Sequence, residues 1–337
     1  MPSTVKPATA RVAWATFQPH PLIRGGHAQT ILGAYLPHQQ RLSATQRQLI
    51  TLPDGDQLVL HDDCPPSWQP DQRAVLLIHG LGGSHASPYM VRIAAKLFAR
   101  GVRCWRLDMR GFGAGYALAK HPGHAGRSED VRATIEAIAQ HCPHAPLSAI
   151  GFSLGGNIVL KLAAESGDHP PGTLDSIAAV CPPIDLSASS QNIKRGMNFV
   201  YDRAFVKALL TMLRRRRSEL PHFADEAPLL PRPRNLLEFD DRYTAPKSGF
   251  LSAADYYAQS SSGPLLARIT LPTLIVAAAD DPLIPARIFD PALLSPAIDL
   301  QITAGGGHLG FVGVAGVDPD RRWLDWRLLE WAQNQPK

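Results

Sequence analysis

The sequence predicts an α/β architecture, a mostly parallel central sheet with helices on both faces and a mainly helical cap insertion. Three observations carry that expectation. Runs of strand length recur at Ala74 to Ile78, Val102 to Leu107, Pro146 to Ile150 and Asp175 to Val180, the first continuously apolar and partly β-branched, the pattern of a strand buried on both faces. Helix-length segments separate them, so that strand, loop and helix alternate at roughly 25-residue intervals, as parallel crossovers require. The rhythm then breaks from about Asp185 to Ala267 and resumes, as it does where an insertion after a strand's carboxyl end covers a site.

In chain order, residues 1–45 are Pro-rich and irregular, and no regular structure is expected there. Two alternating stretches, Arg47 to Leu52 and Gln57 to Asp62, flank Pro53-Asp54-Gly55-Asp56, whose Asp-Gly pair predicts a hairpin turn. Cys64 to Gln72 reads as a loop before the strand Ala74 to Ile78. A helix fits Pro88 to Arg100, with Gly101 at its left-handed C-terminal position. After the strand Val102 to Leu107 comes a glycine-rich loop, Asp108 to Gly115. Ser128 is expected to cap a helix with an acidic first turn, Glu129-Asp130, and apolar spacing at Val131, Ile135 and Ile138. The next strand leads through Gly151-Phe152-Ser153-Leu154-Gly155 into a helix from Gly156 to Ser166. Within the break, only Tyr201 to Arg217 reads as a long helix, amid Pro-rich loops and Ser260-Ser261-Ser262. Strands at Leu274 to Ala279 and Ile298 to Thr303 and a helix from Arg321 to Ala332 complete the chain. The expected division is an irregular segment 1–45, a core of 46–184 with 268–337, and a cap of 185–267.

Composition narrows the function classes. With 337 residues, 45% hydrophobic and 19% charged, the chain can bury a large core. No run of about eighteen apolar residues exists to span a bilayer, and Met1 to Pro21 lacks the apolar centre of a signal peptide, so a soluble, cytoplasmic protein without an integral membrane segment is expected. Cys64, Cys104, Cys142 and Cys181 are scattered without metal-binding or disulfide spacing, and neither a metal nor a cofactor is expected. The net charge of +5 has its sharpest local feature at Arg214-Arg215-Arg216-Arg217. That run reads as a solvated helix face, since no aromatic or helix-turn-helix context supports a nucleic-acid partner.

The chemistry centres on Ser153. A Gly-x-Ser-x-Gly turn between strand and helix strains the central Ser and exposes its hydroxyl. Such a pentapeptide arises by chance in roughly one chain of this length in ten, so its meaning depends on what accompanies it. A Ser hydroxyl needs a base to take its proton, and the base needs a carboxylate to fix its tautomer. Ala279-Asp280-Asp281-Pro282-Leu283-Ile284-Pro285 follows one apolar strand and Gly305-Gly306-Gly307-His308-Leu309-Gly310-Phe311 follows the last, placing an acid and a base at the sheet edge where open α/β folds bind ligands. Two aspartates compete for the acid; the D-x-x-x-P turn favours Asp281 and leaves Asp280 a structural group. Main-chain amides of Leu81, in His79-Gly80-Leu81-Gly82, and of Leu154, after the nucleophile, are the expected oxyanion donors. His79 to Ser84 lacks the Gly-Lys-Ser/Thr ending of a phosphate loop, and Gly111 to Gly115 does not complete a dinucleotide fingerprint.

The order Ser, Asp, His, each after a strand, is that of the α/β-hydrolase fold. The chain further resembles the YheT-like hydrolases, bacterial relatives of membrane-anchored eukaryotic abhydrolases. The resemblance rests on Gly25-Gly26-His27-Ala28-Gln29-Thr30, His79-Gly80-Leu81-Gly82-Gly83, Arg110-Gly111-Phe112-Gly113, the Ser153 turn, Phe239-Asp240-Asp241, Tyr256-Tyr257, Ala279-Asp280-Asp281-Pro282 and Gly306-Gly307-His308-Leu309-Gly310-Phe311. It implies hydrolysis of short- to medium-chain carboxylic esters, small-molecule acyl substrates, with Ser153, Asp281 and His308 as the triad. Acyl transfer or thioester hydrolysis on the same residues, or a fold kept as a binding module, are the competing expectations. His27 and His124 fall in family-like stretches, with structural hydrogen bonds as the expected role; Asp240 and Asp241 are expected to anchor a cap loop.

Overall fold

The eight strands are β1 (Gln46–Thr51), β2 (Gln57–Asp63), β3 (Ala74–Ile78), β4 (Arg103–Asp108), β5 (Leu147–Phe152), β6 (Leu174–Val180), β7 (Thr273–Ala278) and β8 (Ile298–Thr303). They form one sheet in the order β1-β2-β4-β3-β5-β6-β7-β8. β1 and β2 are antiparallel to their neighbours, and β4 through β8 run parallel. The computed structural model describes residues 14–38, 40–42, 45–224, 228 and 231–335. The sequence reading of residues 1–13, 39, 43 and 44 therefore lies outside the described residues.

Continuous hydrophobicity of the central strands follows from their two-sided burial. Leu76, Ile78, Leu147, Ala149, Ile177 and Ile275 point to one face, against Val131, Ile135 and Ile138 of α3 (Ser128–His141) and Ile158 and Leu162 of α4 (Leu154–Ser166). Their alternates Val75, Leu77, Ile150, Phe152, Ala178 and Val276 point to the other, against Met90, Ile93 and Leu97 of α2 (Pro88–Ala99) and Leu324 and Leu328 of α10 (Trp323–Gln333). Period-two alternation thus feeds two separate cores from one run of residues.

Between β6 and β7 the described residues hold no strand. They form α5 (Leu186–Ile193), α6 (Phe199–Glu219), α7 (Leu236–Phe239), a π-turn over Asp240–Thr244, α8 (Ala245–Lys247) and α9 (Ala253–Ser260). No helix among the described residues is long and apolar enough to cross a membrane.

Three expectations are corrected. Residues 26–35, expected to lack regular structure, form helix α1 (Gly26–Tyr35). Its stability comes from contacts distant in sequence: a β-carbon at Gly33 would lie 2.6 Å from the Gly310 Cα, so the helix is held against the loop after β8. Ser128 does not cap α3; it is the first helical residue, and its hydroxyl donates to Glu165 Oε2 at 2.5 Å, tying α3 to α4. The arginine run is not wholly solvated either. Arg216 is 1% exposed, donating to the Ala119 carbonyl with its guanidinium 3.9 Å from the Phe223 ring centroid, whereas Arg214 and Arg215 face outward.

Candidate active site

Ser153 sits between the end of β5 and the start of α4 with φ 50° and ψ −118°, a conformation that a non-Gly residue keeps only when its surroundings enforce it. The flanking glycines explain how. A β-carbon on Gly151 would lie 2.2 Å from the Gly155 carbonyl oxygen, and one on Gly155 would lie 2.6 Å from both the Ile78 and His79 carbonyl oxygens. Strand end, helix start and the loop after β3 therefore meet without room for side chains, which lifts the Ser153 hydroxyl clear of the sheet.

His308 reaches it from the loop after β8. The chain turns there through positive φ at Gly306 and Gly307, the freedom that swings the imidazole inward. His308 Nε2 lies 2.9 Å from Ser153 Oγ, and His308 Nδ1 lies 2.8 Å from Asp281 Oδ2. Asp281 Oδ1 accepts from the Leu283 and Ile284 amides at 2.8 and 3.0 Å, which fixes the carboxylate. Asp280 turns elsewhere, its Oδ1 accepting from the Gly307 amide at 2.9 Å. With the Asp281 carboxylate on Nδ1–H, the imidazole presents an unprotonated Nε2 to the Ser153 hydroxyl.

Leu81 and Leu154 line the same cavity as Ser153. In the loop after β3 the Gly80 amide donates to the Tyr89 hydroxyl at 3.0 Å, and His79, buried and held neutral by that burial, accepts from the Met109 amide on Nε2 and bonds the Gly80 carbonyl through Nδ1. Leu154 opens α4, where amides lack intrahelical acceptors. Among the described residues, neither the Leu81 nor the Leu154 amide is engaged by another backbone group. The cavity beside Ser153 holds about 1030 Å³ between atoms, its open mouth included, and Leu186, Ile193, Phe205, Leu209, Leu283 and Ile284 make its walls largely apolar.

Residues 73–313 match the model of a family described as the alpha/beta hydrolase fold. The chain belongs to that family. It is 32% identical to "Putative esterase YheT" of Escherichia coli (strain K12) over 307 residues, 90% of this chain and 89% of that one, which places this α/β hydrolase beside the YheT-like proteins. It is 25% identical to "Phospholipase ABHD3" of Mus musculus over 309 residues, 89% of this chain and 74% of that protein. Among solved structures it superposes on Est1E from Butyrivibrio proteoclasticus with a TM-score of 0.54 at 16% identity, covering 86% of this chain and 98% of the other; that likeness is one of fold.

Sequence reasoning missed how this α/β hydrolase holds its His loop. Thr30 of α1 accepts from the His308 amide at 2.8 Å while its hydroxyl donates to the Gly26 carbonyl at 2.6 Å. Fully buried Gln29 accepts from the Val312 amide at 2.7 Å and donates to the carbonyls of Ile23 and Val312 at 2.6 and 3.1 Å. The Gly25 to Thr30 stretch was visible as a motif, but its partners lie some 280 positions away. Gln29→Leu should leave the Val312 amide and Ile23 carbonyl buried without partners and reduce stability by about 2–4 kcal/mol, read as the midpoint of urea unfolding; an unchanged midpoint would refute the latch. His27 Nδ1 lies 3.0 Å from the Tyr201 hydroxyl, and His124 Nδ1 accepts from the Gly126 amide at 3.1 Å.

Three clusters among the described residues have the composition of a metal site: Cys181 with Asp281 and His308, Asp54 with Asp56 and His121, and His61 with His85 and Asp108, the last being the one with two histidines. His61, His85 and Asp108 converge, yet Asp108 Oδ2 already accepts from His61, His85 and the Ala114 amide at 2.9, 2.7 and 2.8 Å, and Oδ1 from the His85 amide at 2.6 Å. Burial pushes the Asp108 carboxyl up, but these hydrogen bonds outweigh it and hold the group far below the usual carboxylate range. The donors are consumed in pinning the loops after β3 and β4 beside Ser153.

Proposed function

We propose that this α/β hydrolase is a serine esterase that cleaves short- to medium-chain carboxylic esters through an acyl-enzyme. The observation that carries the reading is the continuous hydrogen-bonded relay from Ser153 through His308 to Asp281. His308 Nε2 takes the Ser153 proton as Oγ attacks the ester carbonyl, and Asp281 stabilises the imidazolium that forms. The Leu81 and Leu154 amides receive the oxyanion. His308 then protonates the departing alcohol, and a water activated by the same imidazole releases the acid and restores Ser153. Residues 185–267 act as a cap whose helices wall the acyl cavity. The esterase and phospholipase names of the relatives support hydrolysis as the reaction type.

An alkyl fluorophosphonate should label Ser153 stoichiometrically in folded protein, seen as one adduct on the peptide that contains it. Turnover of p-nitrophenyl esters should rise from acetyl through medium-chain acyl groups and fall once the chain outgrows the cavity. Absence of labelling, or equal rates for acetyl and palmitoyl esters, would contradict the reading.

A further inference from the structure

Asp240 lies in the wall of the cavity that contains Ser153, although its sequence context suggested only a loop anchor. It is the first residue of the π-turn, buried at 7% exposure. Its Oδ1 accepts from Thr244 Oγ1 and its Oδ2 from the Tyr257 hydroxyl, both at 2.7 Å; the Tyr257 hydroxyl also stands 3.4 Å from Ser190 Oγ. No basic side chain forms an ion pair with it among the described residues. The two arginines in the cavity wall are committed elsewhere, Arg110 to Asp130, Asp54 and Asp56, and Arg216 to the Ala119 carbonyl and the Phe223 ring. Burial, against the opposing pull of the Thr244 and Tyr257 hydrogen bonds and with the like charge of Asp202 on α6 adding to it, pushes the carboxyl up to about 6. Tyr243, Tyr256 and Tyr257 stand in the same cavity wall.

A carboxylate removed from water and given only two hydroxyl donors retains lone pairs and an unneutralised charge. An apolar protein core replaces such a group readily, whereas a ligand pocket keeps one to fix orientation. Aromatic rings around it favour a cation further. We propose that the Asp240 end of the cavity binds a protonated primary amine carried by the ester substrate, with Asp240 as counter-ion and two of the hydroxyls of Thr244, Tyr257 and Ser190 accepting its other two N–H bonds. This rests on the reading of the cavity as the ester site, but it can be measured without turnover.

The test is binding of hexylammonium and of 1-hexanol, equal in chain length, to Ser153→Ala protein by calorimetry, so that failure of the esterase reading leaves it intact. Hexylammonium should bind at least about tenfold more tightly than 1-hexanol near neutral pH, as a charge-assisted contact implies. That preference should vanish in Ser153→Ala/Asp240→Asn, whose folding is checked by thermal unfolding. If the double variant does not fold, pH supplies the second measurement. Asp240 is ionised above its shifted pKa and neutral below it, whereas the amine stays protonated throughout. His124, pushed down to about 3 by burial and by Arg127, Arg110 and Lys161, does not titrate in this window. The amine's advantage over the alcohol should therefore be full near pH 8 and largely lost near pH 5. Equal affinities of amine and alcohol, a preference that survives Asp240→Asn, or one indifferent to pH would overturn the proposal.

Discussion

Ser153→Ala should lower kcat/KM for p-nitrophenyl butanoate by about 10⁴- to 10⁶-fold, the loss seen when a triad nucleophile is removed from serine hydrolases. The substitution deletes one oxygen and leaves the β-carbon that the turn already accommodates, with the nearest constraint being the close approach of Gly80 to the Ser153 Cβ. His308 keeps its Asp281 partner, so the loop after β8 stays anchored through Asp280, Thr30 and Gln29. What disappears is the atom 2.9 Å from Nε2 that the proposed mechanism uses to form the acyl bond. On the proposed mechanism, any activity left over water would come from the Leu81 and Leu154 amides and from binding alone. Circular dichroism and urea unfolding should match the parent protein. A variant that folds and retains even a few per cent of turnover would place the nucleophile elsewhere.

Why the sequence revealed some of this and not the rest has a physical basis. β3 was legible because burial on both faces leaves no polar residue in the run, β5 because Ser148 alone interrupts an otherwise apolar one, and β8 because Ile298, Leu300 and Ile302 alternate with polar residues at the sheet edge. Gly151, Ser153 and Gly155 were legible because a tight strand-to-helix turn imposes its own steric code. Helix α1 was not, since its reason to exist is a loop almost three hundred residues downstream, and no local periodicity records that. Ser128 matched the composition of a cap, yet its hydroxyl had a better partner in Glu165 on the neighbouring helix. Arg216 looked like its three neighbours in the run; only the helix phase, which turns it toward Ala119 and Phe223, separates it from them. Asp240 illustrates the same limit at the candidate site: Phe239-Asp240-Asp241 gives no local sign that one aspartate lines the cavity while Asp241 accepts from the Ala253 amide at 2.9 Å.

The choice between adjacent aspartates yields the second large effect. Asp281→Asn should reduce kcat/KM by about 10⁴-fold, while Asp280→Asn should reduce it by about tenfold or less. In the first variant the amide oxygen can keep the bonds from the Leu283 and Ile284 amides that Oδ1 now accepts, so the turn survives and an NH₂ group replaces Oδ2 opposite His308 Nδ1. That NH₂ donates, and Nδ1 must then accept. The imidazole proton moves to Nε2, where it points at Ser153 Oγ and leaves no lone pair to receive the hydroxyl proton. Geometry is preserved and the base is lost. In Asp280→Asn the amide oxygen can still accept from Gly307, as Oδ1 does now, so the position of His308 changes little. Steady-state hydrolysis by the two variants, side by side with matched unfolding midpoints, decides the assignment: comparable losses would mean that Asp281 serves only to shape the turn, and a larger loss in Asp280→Asn would transfer the acid role to Asp280.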